Sequence, residues 1–527
     1  MKKKILVIIM VLATLLSLVG CTEETPYVVT DEDIEALQTT VLDIDGLYIG
    51  LLDDNSMTNS TNVEIKSNVI TIKSGGTYTL TGLLTDGQII VDTNDAVELI
   101  LDSVSINSDY SAAIYVEDAD GGVIITLADG TTNTLSDGSS HTDEEITSVL
   151  YSKDTMTLQG TGTLIIDANY KDGIVSKDSL VIEDGVYEIT STGDAIYGKD
   201  SLTINGGDFT IFTGDGSAAA PIQEEEMGGG IGGPPGRPGS TTTTTEIDET
   251  DEGSFKALKT QGTLTINDGT FLIDSYEDAI HSDTEILIYG GTFSIESGDD
   301  AIHADTLLTI FDGDIDIDYS AEGLESFSII IEGGDISITA YDDGLNATNG
   351  TNTSVGGAAD HPDNGEYDLS TDPHIIINDG TLLVESTGDG IDANGVVIIN
   401  GGTVYVNGKG NSAGIIESPI DFDITGVVNG GTVIALGTST MAYEFDDEKS
   451  TQTSFQVTFG GFYSIGTSIE ILDENETVLT TMSSTNTFET LIFSSEELEQ
   501  GGTYYLLIGT DMYTVTLSED SVTTLFR

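Results

Sequence analysis

One phrase recurs along this chain at a nearly constant interval. EDAIHSD at 277–283 is followed by DDAIHAD at 299–305, then by AEGLES, DDGLNA and GDGIDAN. Asp172 to Asp194, Asp278 to Asp300 and Asp300 to Glu322 are each 22 residues apart, and Glu322 to Asp343 is 21. A fixed period of about 20–50 residues marks a repeat architecture. Each unit holds three short apolar runs, of the types LTI, TFLID and DAIHS, and a DG or GG turn separates the first two. Runs of three to five residues are too short to hold together as isolated hairpins. Stacking successive units buries the same face repeatedly and pairs each strand with its copy above and below. The chain is therefore expected to be all-β, a parallel β-helix of about ten coils of ~22 residues. No window keeps a 3.6-residue period, which disfavours a helical solenoid.

Composition narrows the function. The 91 acidic residues against 15 basic ones give a formal charge of −76 over 527 residues. Nucleic acid is excluded as a partner, because phosphate binding needs clustered Lys and Arg. Such a charge suits cation binding or solubility outside the cell. The single cysteine, Cys21, rules out an intramolecular disulfide.

Lys2, Lys3 and Lys4 precede the apolar run ILVIIMVLATLLSLVG, an order typical of a secretory signal. Leu18-Val19-Gly20-Cys21 resembles the lipobox of bacterial lipoproteins. That resemblance implies a signal peptide over 1–20, lipidation of Cys21, and a location on the extracellular face of a bacterial membrane, with contact to the membrane only through the lipid. Residues 21–60 read as a tether and entry segment, and 61–439 as the β-helix. Two insertions, 217–254 and 348–373, interrupt it; the first is rich in Gly, Pro and Thr. Residues 440–527 lose the repeat and alternate as a small antiparallel β module that caps the rod.

In register, the repeats place Asp172, Asp194, Asp278, Asp300, Glu322, Asp343 and Asp389 at one position of successive coils. Three residues later stand Val175, Tyr197, His281, His303, Glu325, Asn346 and Asp392. The Gly or Ala after each acid is read as the small residue of a tight corner. Carboxylates about 5 Å apart repel unless something positive intervenes, and calcium accepts many oxygen ligands in loose geometry. The candidate calcium ligands are Asp278, Asp299 and Asp300 in one group, and Glu322, Glu325, Asp342, Asp343, Asn346, Asp389 and Asp392 in another. The alternative is that these acids are corner residues bonding to the backbone. His281 and His303 are poor calcium ligands and read as a stacked pair or as sugar contacts. Zinc is weaker, for want of a third nitrogen or sulfur ligand. Tyr276, Tyr319 and Tyr341, beside the column, are candidate platforms for sugar rings; corner packing is the alternative.

The phrases GDDAIHAD, AEGLES, DDGLNA and GDGIDANG, following a lipobox, resemble those of the carbohydrate-binding β-helix lipoproteins of clostridia and their relatives. The resemblance spans about 60–440 and extends to the C-terminal module. It implies a right-handed parallel β-helix akin to pectate lyases, bound calcium, and binding of plant cell-wall polysaccharide such as cellulose or polygalacturonate. The DDGxD-type calcium site of the lyases is matched in part by Asp342-Asp343-Gly344-Leu345-Asn346 and by Asp389-Gly390-Ile391-Asp392. It departs at Asn346 and at Gly388. Two further functions stay open: a calcium-dependent polysaccharide lyase, which would need a Lys or Arg base, and a purely structural surface adhesin. Lys171, Lys177, Lys199, Lys256 and Lys259 lie near the column, with Lys409 a coil beyond.

Overall fold

A computed structural model describes residues 46–220, 253–349, 366–408, 418–440, 442–518 and 521–526. Cys21, the segment preceding it and most of both insertions lie outside the described residues. Among the described residues no helix is long and apolar enough to cross a membrane.

Strands from the first and second apolar runs join one 28-stranded sheet, and those from the third run form a 14-stranded sheet. Within the coils the pairing is parallel, rung on rung. Ile266 stands over Ile288 and Ile288 over Ile310. On the other sheet Ile280, Ile302, Leu324, Leu345, Ile391 and Ile420 form one continuous ladder. Alternation along each strand sends these apolar side chains inward, where they are fully buried. Burying the same position in every coil fixes the register, since a one-residue slip would turn the apolar set outward.

Aromatic residues reinforce that register. Tyr187, Phe209, Phe271 and Phe293 stack in the core with ring centroids 5.0, 4.9 and 4.6 Å apart and ring planes nearly parallel. Their spacing is the inter-strand distance itself, about 4.8 Å. At the turn between the first two runs, Gly269 (φ 137°) and Gly291 (φ 114°) take backbone angles that a side chain would strain. On the outside of this turn asparagines form a ladder: Asn267 donates to Asn205, Asn400 to Asn378, and Asn429 to Asn400.

The first insertion leaves the coil undisturbed. Leu258–Thr260 pairs with Ile196–Gly198 on one side and with Ile280–Ser282 on the other. Asp314–Ser320 bulges by one residue against its neighbour. Its following corner is shorter: Ala321 alone separates Ser320 from Glu322, where Gly298 and Asp299 separate Ser297 from Asp300.

Two parts differ from the sequence reading. Leu47–Leu52, assigned to the entry segment, is largely buried and pairs in parallel with Gly76–Leu84. The small residue after each corner acid is required by close approach and not by a special φ. A Cβ on Gly344 would lie 2.2 Å from Val384 Cγ1 and 2.5 Å from the Gly390 carbonyl oxygen of the next coil. Gly344→Ala is expected to cost about 1–3 kcal/mol, read as a lower midpoint in urea unfolding. No change would mean that the coils can part at this corner.

At the C-terminal end, Thr432–Gly437 pairs antiparallel with Phe488–Ser494, which pairs antiparallel with Ser454–Tyr463. A five-stranded antiparallel sheet follows. Its inner residues Ile469, Ile471 and Leu506 share an apolar cluster with Phe455, Phe488 and Phe493 of the preceding strands, separate from the main core of the rod.

Candidate functional site

From Ile196–Gly198 onward the third-run strands are three residues long, and their middle side chain points outward. In Ile280–Ser282 that residue is His281. Three residues before it, at the corner, stands the acid. Two parallel files therefore run along one outer edge. The corner file reads Asp172, Asp194, Lys256, Asp278, Asp300, Glu322, Asp343, Asp389, Ser418. The strand file reads Val175, Tyr197, Lys259, His281, His303, Glu325, Asn346, Asp392, Asp421. Along it the chemistry passes from aromatic to ammonium, imidazole and carboxylate.

The rung that follows the first insertion carries lysine in both files. Lys256 Nζ lies 3.0 Å from Asp278 Oδ2 and 3.5 Å from Glu277. Lys259 Nζ lies 3.1 Å from Asp194 Oδ2. The Lys256 backbone N–H and the Ser254 hydroxyl both donate to Asp194 Oδ1. Burial alone would raise the Asp278 pKa, but the Lys256 charge and the His281 hydrogen bond hold it well below the usual carboxylate range. Lys256 is pushed up in turn: burial opposes its charge, and Asp278 and Glu277 outweigh burial. Asp278 is thus ion-paired within the chain.

Next along the files is a cleft of ≈ 320 Å³, lined by Asp278, Asp299, Asp300, His303, Glu322, Glu325, Tyr341 and Asp342 among others. His281 reaches Asp278 through Nδ1 at 2.7 Å and Asp283 through Nε2 at 3.1 Å. His303 Nδ1 lies 3.0 Å from Asp300, and its Nε2 3.5 Å from Asp305. The two rings are 5.0 Å apart and tilted by 61°, so they meet edge to face and are not the stacked pair expected. Burial and the charges of Asp300 and Asp278 push Asp299 up to about 7. Burial and Asp300 push Glu325 up to about 8, and Glu322 also rises, through burial, Asp300 and Glu325. Burial would lower His303, but hydrogen bonds to Asp300 and Asp305 raise it to about 12. Asn346 donates from Nδ2 to both oxygens of Glu322, each at 3.0 Å, while its buried Oδ1 has no hydrogen-bond partner.

The third group lies farther along. Carboxylate oxygens of Asp389, Asp392 and Asp421 all fall within 4.8 Å of one another. Asp343 accepts the Asp389 N–H at 2.6 Å, and Asp389 accepts the Ser418 N–H. Ser418 continues the corner file, and its buried hydroxyl has no hydrogen-bond partner. Asp421 was missed from sequence. Ser418-Pro419-Ile420-Asp421 lacks the corner acid by which the phrase was recognised, although its Ile-Asp pair repeats Ile391-Asp392.

The ten predicted metal ligands therefore divide. Asp278, Asp299 and Asp300 offer one set of converging oxygens. Glu322, Glu325, Asp342 and Asn346 surround the far side of the cleft. Asp343, Asp389 and Asp392 belong to the last group. The predicted sugar contacts divide as well. Tyr341 lines the cleft, and Tyr319 lies against it with ring centroids 5.7 Å apart. Tyr276 packs edge-on against Phe255 of the inserted rung and does not line the cleft. His281 is buried with both nitrogens engaged, which leaves it little to offer a sugar. Lys409 lies outside the described residues.

A family model described as carbohydrate-binding domain-containing protein matches residues 66–233, 236–301, 284–361 and 300–473. A carbohydrate-binding domain-containing protein of Acetivibrio thermocellus is 36% identical over 142 residues, 25% of this chain and 49% of the relative. The chain thus spans about half the length of that curated relative. A solved structure described as the polysaccharide lyase-like protein from C. thermocellum, gadolinium derivative, is similar with a TM-score of 0.36 and 23% identity. That likeness covers 58% of this chain and 98% of the other.

Proposed function

Because the chain belongs to the family of carbohydrate-binding domain-containing proteins, we propose that it binds plant cell-wall polysaccharide through calcium, without cleaving it, as a lipoprotein on the outer face of a bacterial membrane. Polygalacturonate is the preferred ligand over cellulose, because its carboxylates can complete a calcium shell. One observation carries the reading: Asp389, Asp392 and Asp421 converge within 4.8 Å. Calcium takes six to eight oxygens at about 2.3–2.6 Å, so oxygens on opposite sides of one ion stand up to about 5 Å apart. The Ser418 hydroxyl, in the same file, is a buried oxygen still in want of a partner. These four residues would hold the ion, and uronate would enter from the open side.

A lyase is the weaker reading. Its base must be neutral part of the time. Lys256, the lysine lining the cleft, is ion-paired to Asp278 with its pKa pushed upward.

Retention on a polygalacturonate column, with and without calcium, tests the proposal. The native chain should be retained only with calcium, and the Asp392→Asn/Asp421→Asn double variant should lose at least about tenfold in affinity. Equal retention without calcium would sink the calcium bridge. Release of unsaturated, ultraviolet-absorbing oligouronides would show a lyase instead.

A further inference from the structure

The geometry points to a second cation site of different chemistry: a divalent transition ion of the zinc class, held by His281, His303 and Asp278 at the mouth of the cleft. Its donors are not an all-oxygen set. One ligand atom from each of these three residues lies within 4.8 Å of the other two. Asp300, His303 and Glu325 meet the same condition, so His303 is shared between two converging sets. Zinc-class ions bind imidazole nitrogen and carboxylate oxygen at about 2.0–2.2 Å. Donors around one such ion stand up to about 4 Å apart, so these would close in by about 1 Å or less.

Three further features support the assignment. Imidazole is a preferred ligand for such ions, whereas calcium prefers oxygen, and the ion would displace the ring protons now shared with Asp278 and Asp300. The two rings sit in register on adjacent coils but tilt by 61°, with both Nδ1 atoms turned toward the corner carboxylates at 2.7 and 3.0 Å. Stacked rings would have sent their nitrogens in parallel. Third, the donors border a solvent-connected cleft, which gives an entry path. The rung below supplies Lys256, whose Nζ shares Asp278 Oδ2 with His281. It would orient that carboxylate.

The test is calorimetric titration with zinc chloride, in saturating calcium, of the full chain carrying Cys21→Ser so that no thiol competes. Zinc should bind, His303→Gln should weaken it by more than about tenfold, and Asp421→Asn should leave it unchanged. Absence of zinc binding to the native site overturns the proposal. So does zinc binding that survives His303→Gln but is lost in Asp421→Asn, which would place zinc at the carboxylate triad. If His303→Gln fails to fold, proton spectra of the native chain with cobalt(II) chloride decide. Paramagnetically shifted imidazole signals are expected, and their absence overturns it. The calcium-dependent retention on polygalacturonate reads out the other site separately.

Discussion

Lys256→Met is expected to destabilise the chain by roughly 3–5 kcal/mol, the cost of removing one partner from a buried ion pair. Methionine keeps an unbranched apolar stem and removes only the charge. Lys256 occupies the corner file between Asp194 and Asp278, and its side chain is 15% exposed against 4% for Asp278. Without it, Asp278 retains only His281 as a cationic neighbour at hydrogen-bond distance. Asp194 retains Lys259, so the damage should centre on Asp278. Urea unfolding measures the loss, and a double-mutant cycle with Asp278→Asn tests its origin. The double variant should recover a large part of it, since the uncompensated charge is then gone. A loss below about 1 kcal/mol, with no coupling to Asp278, would mean that water screens this pair as it does an exposed one.

That lysine rung also shows where the sequence stopped being legible. The coils could be read because the apolar run returns every 22 residues and only parallel stacking buries it each time. The acid after Ser275 and that after Ser297 then fell into one file without further information. The coil is legible again from 255–260, with Lys256 and Lys259 near the column, but Lys256-Ala257-Leu258-Lys259-Thr260 was not set into the file itself, because the file was matched by its acid and not by its apolar frame. Set against Asp278-Ala279-Ile280-His281-Ser282, its Ala-Leu step is the same corner with both outward residues replaced. Asp421 was lost for the same reason, with Ser418 in the acid's place. The tyrosines failed differently. A corner residue's position along the chain does not say whether its ring turns toward the cleft, as Tyr341 does, or onto a neighbour brought in by an insertion, as Tyr276 does against Phe255. The edge-to-face histidines are a matter of side-chain torsion, which no repeat period encodes.

Metal-free, the chain should lose stability steadily as pH rises from about 4.5 to about 8. Glu325 moves from an ordinary 4.5 to about 8, and Asp299 and Asp172 from 3.8 to about 7, in each case first through burial and then through neighbouring carboxylates. A carboxyl that holds its proton more tightly when folded contributes stability below its unfolded pKa and gives it up as pH rises through the folded value. Within that window each such group can remove up to about 1.4 kcal/mol per pH unit. His303 acts in the same direction: its folded pKa is raised to about 12, so its contribution is complete below 6.5 and declines above it. Asp278, held low, works oppositely and matters only on the acid side, below its usual 3.8. Calcium held by Asp389, Asp392 and Asp421 displaces none of these protons, so its stabilising increment should change little over this window. Melting temperatures from pH 4.5 to 8.5, in metal-stripped buffer and in millimolar calcium, should therefore fall in parallel as pH rises. Glu325→Gln, which carries no charge to bury, should flatten the metal-free curve. A metal-free melting temperature constant between pH 5 and 8 would mean that water reaches these carboxylates freely. A calcium increment that grows strongly from pH 5 to pH 8 would place the ion among the cleft carboxyls that hold protons and away from Asp389, Asp392 and Asp421.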